Sequence, residues 1–295
     1  MSDNKYKIKI ETYPQFNIAL DFDDVSDIII SRDSFDDSAI PKMVSRVKNK
    51  NKKCWILLER ISRYEEFKKQ ELRISTDKIF EIPNLDGIII QNLDEFSYLL
   101  RKINKVANKN LLVELNYTMN CYNIETKRLY EKLYNEKREN ANDIPLFFTA
   151  PLELNIYELA DVKYDTFILY SYIDTMVSAN CLRKIENKDN CKNRFDFEKV
   201  EDFDSYIIDR KNKKLHYKSY CKYCYNKIFN TDPLYLLDKL GEFDIDRIRD
   251  LSKNSLSSSF FRIDFSFENE NEMKKILQKK CPDNFTRGHF KNSIY

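Results

Sequence analysis

Cys221 and Cys224 stand two residues apart in SYCKYCYN. Cys181 and Cys191 precede them, and the intervals between successive cysteines are nine, 29 and two residues. Two residues between thiolates let both sulfurs face one centre, and four thiolates complete a tetrahedral zinc site or hold an iron–sulfur cluster. A two-knuckle zinc ribbon would carry a second CxxC where Cys181 and Cys191 stand alone. Spacing therefore leaves three readings open: a redox cluster, a zinc clip holding a small lobe together, or four buried thiols. The chain has seven cysteines, an odd number that fits a disulfide framework poorly. Cys54 heads an apolar strand and Cys121 lies in NYTMNCYN; both read as small core residues.

The neighbourhood of the CxxC is basic. Residues 210 to 227 carry Arg210, Lys211, Lys213, Lys214, Lys218, Lys222 and Lys227 and no acidic residue. Such a field favours thiolate over thiol. Tyr217, Tyr220, Tyr223 and Tyr225 are interleaved with these cations, a combination suited to phosphate contact and base stacking on looped RNA. The plainer reading is a solvated charged loop with tyrosines packed beneath it.

Elements able to position these residues follow from periodicity. YKIKI, DIIIS, CWILLE, GIIIQ, LLVEL, LFFTA and TFILY are short apolar runs. Between them lie helical patterns such as NLDEFSYLLRKINKVANK, where Leu93, Phe96, Leu99, Leu100 and Ile103 recur on one face. Apolar strands alternating with helices indicate a parallel sheet covered on both sides. A complete eight-stranded barrel takes about 250 residues, so seven strands within residues 1–177 predict a partial or compact barrel, or one completed by a partner. From Ser178 onward the chain turns charge-rich and holds one late strand, FFRIDFSF, and the helical NENEMKKILQKK. Two units are expected: a β/α domain over 1–177 and a cysteine-bearing α+β lobe over 178–295.

With 295 residues and 42% hydrophobic content the chain can bury a sizeable core. Fifty basic and 48 acidic side chains nearly cancel, so nucleic-acid binding through bulk charge is excluded and any such contact must be local. No apolar run long enough to span a bilayer occurs, and the N-terminus lacks a signal-peptide pattern. A soluble cytoplasmic protein is expected.

TAPLELNIYEL, MVSANCL, the IDR ending at Arg210, CKYCYNKIFNTDPLYLL, FRIDFSFENE and FTRGHFK follow one another in an order that resembles the collagenase-like proteins of peptidase family U32. The likeness is strongest from Thr149 to Lys291 and matches the C-terminal half of the longer members. It implies a TIM-barrel-like fold with a cysteine lobe, and it implies Cys181, Cys191, Cys221 and Cys224 as the ligand set. Relatives of this kind include 4Fe-4S proteins that hydroxylate RNA bases or a quinone precursor without oxygen, with prephenate as cosubstrate; others are named collagenases. Three functions are thereby implied. The chain acts in hydroxylation of tRNA or rRNA bases, alone or with a second U32-type subunit supplying the missing N-terminal half; or it is a peptidase, as the family is named; or it is a non-catalytic scaffold with zinc or no metal.

Residues around a barrel mouth can be nominated on the same footing. Glu153 and Asn155 follow LFFTA and Asn116 follows LLVEL, positions that in a barrel form the C-terminal rim. Asn123 reads equally well as a helix cap. Arg210, Arg287 and His289 are candidates to contact an anionic substrate or RNA; in TRGHF, Gly288 permits a tight turn and Arg287 could clamp a carboxylate or phosphate. The peptidase reading gains no support from motifs: HExxH and GxSxG are both missing, and His216 and His289 are the only histidines.

Overall fold

The computed structural model describes residues 5–61, 77–105, 110–137, 146–180, 182, 205–223, 225–242 and 261–290. Its centre is a parallel sheet. β1 (Tyr6–Ile10) pairs with β2 (Val25–Ser31), and the series continues through β3 (Lys53–Leu57), β4 (Gly87–Ile90), β5 (Leu112–Leu115) and β6 (Leu146–Phe148). On the other side of β1 lies β13 (Phe261–Asp264), which also pairs in parallel with β7 (Phe167–Ser171).

The ring closes between β6 and β7. Thr149 bridges Thr166 in parallel; the Thr166 N–H donates to the Phe148 carbonyl at 3.1 Å and the Ala150 N–H to the Thr166 carbonyl at 2.8 Å. Side chains also reach across the interior from β1 to β5 and from β13 to β5, contacts that an open sheet of this order could not make. The fold is thus the expected α/β, TIM-like barrel in compact form.

The structure redraws one boundary. Strand β13 comes from the late FFRIDFSF run, so the barrel is not confined to residues 1–177. The chain leaves it after β7, builds a second sheet, and returns. That sheet has the order β8 (Asp174–Ser178), β11 (Tyr225–Phe229), β10 (Lys214–Tyr220), β9 (Tyr206–Ile208), all antiparallel. A two-residue strand, β12 (Leu234–Tyr235), then pairs antiparallel with β7.

Helices follow the strands and cover the outside. α1 (Tyr13–Asp21), α2 (Ile40–Asn49), α3 (Leu93–Lys102), α4 (Ile124–Glu136), α5 (Ile156–Val162) and α6 (Glu270–Leu277) start mostly from Thr or Asn caps. Asn92, Asn123, Asn155 and Asn269 each accept first-turn N–H bonds, satisfying donors that no helix can satisfy internally. The chain has three glycines, and asparagine takes over part of their conformational work: Asn51, Asn84, Asn120 and Asn212 all adopt positive φ. No described helix is long and apolar enough to cross a membrane.

The core has two layers. Outward strand residues such as Ile8, Ile28, Ile30, Ile56, Ile88 and Val113 pack beneath the helices. Inside the ring, Ile29, Trp55, Leu57, Ile89, Leu112 and Phe147 form a smaller apolar floor. Gly87 makes room for Trp55, since a Cβ at residue 87 would lie 2.3 Å from the indole.

Candidate functional site

Above the apolar floor the interior is charged. β1 alternates, with Tyr6, Ile8 and Ile10 facing the helices and Lys7, Lys9 and then Glu11 facing inward. β5 contributes Glu114, with Asn116 just beyond its end, and β13 contributes Arg262 and Asp264, with Ser266 just beyond. Lys7, Glu114 and Arg262 are each only 1% exposed. Lys7 Nζ meets Glu114 Oε2 at 2.5 Å and lies 3.2 Å from the centre of the Trp55 ring. Thr149 donates to the other Glu114 oxygen at 2.6 Å. Arg262 grips Asp264 through Nε (2.6 Å) and Nη2 (2.8 Å), and its Nη1 donates to Asn116 Oδ1 at 3.0 Å. The Asn116 amide then donates to Gln91 Oε1 at 3.3 Å. Burial would push the Glu114 carboxyl up, but Lys7 and Arg262 outweigh it and hold it low.

The β10–β11 hairpin lies across this mouth. Lys218 Nζ reaches Glu11 at 2.6 Å, where Tyr220 OH (2.8 Å) and Lys9 Nζ (2.7 Å) also donate. Burial raises the Glu11 carboxyl, yet Lys218, Lys9 and Lys227 together carry it well below the usual range. Lys227 faces Asp33 at 3.3 Å, and Lys222 donates to Asp37 (2.6 Å) and to the carbonyls of Arg32 and Phe35. Tyr220 and Tyr225 stack at 5.2 Å, and the Tyr225 hydroxyl accepts the Arg60 N–H. Half of the basic, tyrosine-rich stretch therefore grips the barrel rim, while Arg210, Lys211, Lys213 and Lys214 remain exposed.

The nominated residues separate accordingly. Asn116 sits in the mouth, 2% exposed and hydrogen-bonded to Arg262 and Gln91. Asn155 is taken up by the α5 capping box with Glu158, and Glu153 is exposed. Asn123 caps α4. Arg287 binds Asp238 and the Tyr235 carbonyl, tying the C-terminal turn to the segment after β12; His289 beside it is exposed. Arg210 lies in the turn between β9 and β10.

Of the four cysteines, Cys221 occupies the turn joining β10 and β11 and is half-buried; Cys181, Cys191 and Cys224 lie outside the described residues. Among the described residues no group of three His, Cys, Asp or Glu side chains could hold a metal. β8 pairs through Ser178 with Asn226 of β11. Cys54 and Cys121 are buried as expected, and burial pushes the Cys121 thiol up to about 11.

Arg262, Asp264, Lys7, Lys9, Glu11 and Glu114 were not nominated from sequence. Their signal is alternation: charged residues at every second position of otherwise apolar strands (KIKIE, RIDFS, VELN) mark an inward face that is polar at one end.

The molecule is thus an α/β barrel protein with a cysteine-bearing antiparallel lobe seated on its C-terminal mouth. The chain resembles the U32 peptidases. A solved structure of a U32 peptidase is similar over 57% of this chain and 70% of that one, with 11% identity and a TM-score of 0.42. No family model and no curated protein matches the sequence.

Proposed function

We propose that the chain is a U32-type iron–sulfur protein acting in RNA base hydroxylation, alone or with a second U32-type subunit. Cys181, Cys191, Cys221 and Cys224 are the cluster ligands in this reading, with zinc as the alternative metal and prephenate as cosubstrate. The observation that carries it is the seating of the Cys221-bearing hairpin on the barrel mouth through Lys218, Tyr220 and Lys227. That is where a parallel barrel collects its reactive groups. When bound, the cluster supplies electron transfer. The chain's own residues supply the polar mouth: Asn116, Arg262 and Lys9 are donors suited to an anionic cosubstrate, and exposed Arg210 and its lysine neighbours are suited to RNA phosphate.

One observation favours the scaffold reading. The mouth is internally paired, with Lys218 and Tyr220 on Glu11, Lys227 near Asp33 and Arg262 on Asp264. A closed, self-satisfied mouth suits a subunit whose partner does the chemistry.

The test is metal and sulfide content with a visible spectrum, on protein purified without oxygen and without a metal-binding tag. About four irons and four sulfides per chain with a broad, reducible charge-transfer band support the cluster, and RNA from a deletion strain should then lack one hydroxylated base. One zinc per chain and no colour would make the lobe structural and leave the scaffold reading standing.

A further inference from the structure

One buried carboxyl at the barrel mouth has almost no donors. Glu95, in the first turn of α3, is 4% exposed. Its Oε2 receives the Gln91 N–H at a long 3.5 Å, and its Oε1 receives nothing among the described residues. Its neighbour is a second buried carboxyl, Glu59, which follows β3. Asn92 fixes the two side by side: its Oδ1 accepts the Glu95 N–H at 2.9 Å and its Nδ2 donates to the Glu59 carbonyl at 3.1 Å. Two adjacent buried carboxyls are not both charged unless a cation or a proton stands between them. Among the described residues no group of three or more His, Cys, Asp or Glu side chains could hold a metal ion. A proton on Glu95 Oε1 turns that atom into a donor to Glu59.

The surrounding charges lead to the same count. Arg32, wholly buried, donates through Nη1 to Glu59 at 3.1 Å and through Nε and Nη2 to Asp37 at 3.1 and 3.0 Å. Lys222, in the turn of the β10–β11 hairpin, donates to the same Asp37 at 2.6 Å and to the carbonyls of Arg32 and Phe35. Other charged groups nearby have partners of their own: Asp33 faces Lys227, and Arg60 lies 3.5 Å from Asp174. One turn along α3, Tyr98 donates to Asp77 at 2.8 Å. Arg32 and Lys222 thus balance Asp37 and Glu59, leaving no cation for Glu95. Tyr223 closes over the group from the hairpin, 4% exposed, beside the Glu59 charge and with its ring centre 6.0 Å from the Arg32 guanidinium carbon.

We propose that Glu95 and Glu59 form a proton-binding site that latches the β10–β11 hairpin onto the barrel: one shared proton keeps the hairpin seated, and its loss to solvent releases it. With the proton in place, Glu95 donates to Glu59, and Arg32 holds Glu59 and Asp37 beneath Tyr223. Without it, two adjacent negative charges face one guanidinium, and lifting Tyr223 and Lys222 away lets water reach them. Burial, then the Glu59 charge, raise the Glu95 pKa. Docking is therefore strongest at or below the undocked carboxyl value, about 4.3. It weakens as pH rises towards the docked value, by up to about tenfold per pH unit for a single proton. Glu11 acts in the opposite sense, being held charged by its lysines, so the two carboxyls bound a pH window for docking. No metal or substrate is needed for this latch.

The experiment is hydrogen–deuterium exchange of the full chain from about pH 5 to about pH 9, read by mass spectrometry and corrected for intrinsic base catalysis. Peptides of the β10–β11 hairpin are compared with those of β3. In wild type the corrected opening of the hairpin should rise at least about tenfold across this range, while β3 stays level. Glu95→Gln, which copies the protonated acid, should keep the hairpin at its low-pH protection throughout. Lys222→Met, which loosens the hairpin turn and leaves both carboxyls in place, should raise opening at every pH and keep the slope. A level hairpin in wild type, a wild-type slope in Glu95→Gln, wild-type protection in Lys222→Met, or an equal rise in β3 overturns the latch. If Glu95→Gln does not fold, Glu59→Gln decides: with the repelling charge removed the slope should fall, and a wild-type slope there overturns the proposal.

Discussion

Lys7 and Glu114 meet across the inside of the barrel, Nζ to Oε2 at 2.5 Å, joining the first strand to the fifth with both side chains almost fully buried. Removing one partner strands the other charge in a medium that cannot hydrate it. Glu114→Gln should therefore cost about 3–5 kcal/mol in urea unfolding. The double variant Lys7→Met, Glu114→Leu should cost clearly less than Glu114→Gln, since it leaves no orphan charge. A double variant at least as destabilised would show that the pair contributes net attraction.

Glu11 fastens the lobe to the barrel. Its folded carboxyl titrates below the ordinary range, because Lys218, Lys9 and Lys227 outweigh the effect of burial. A depressed carboxylate contributes stability that is fully present above the unfolded value, about 4.3, and is lost as pH falls below it. Lobe docking, followed by near-UV circular dichroism of the tyrosines, should hold from neutrality down to that value and weaken under stronger acid. Glu11→Gln should weaken docking at neutral pH and flatten the acid slope; an unchanged slope would assign it to other carboxylates.

Glu95 behaves in the opposite way. Burial, then the adjacent Glu59 carboxylate, push its pKa well above the ordinary value. A carboxyl whose folded pKa is raised favours the folded state most at or below the unfolded value, and that advantage is lost as pH rises towards the folded one. Glu95→Gln, an isosteric copy of the protonated form, should raise the thermal midpoint at pH 7 to 8 and leave it nearly unchanged near pH 4. A lower midpoint at pH 8 would refute this.

Cys224→Ser should remove or loosen the bound metal, whereas Cys54→Ser should not change metal content, since Cys54 is fully buried in the barrel core. Equal metal in both variants and wild type would refute the ligand assignment.

Gly87→Ala should destabilise the barrel by about 1–3 kcal/mol through overpacking, because the new methyl would meet the Trp55 ring at 2.3 Å. Recovery in a Gly87→Ala, Trp55→Leu double variant would tie the cost to that contact.

The strands, the helices between them and the α/β class were legible in the sequence because each is written locally, as apolar runs, helical spacing and Asn or Thr caps. Asn116 could be placed at a strand end for the same reason, and Cys54 could be read as core. Ring closure could not be read that way. Whether FFRIDFSF pairs with β1 or belongs to a separate lobe depends on contacts between residues more than 250 positions apart, such as Tyr6 and Phe261, which no local pattern encodes. The lysines and tyrosines around the CxxC looked like a solvated loop or an RNA surface; only tertiary structure turned Lys218, Tyr220 and Lys227 onto Glu11 and Asp33. The sequence by itself determined which residues could be buried, paired or bound to metal. The tertiary structure decided which of them meet, because a charge is tolerated inside a barrel only where the closed ring delivers its partner.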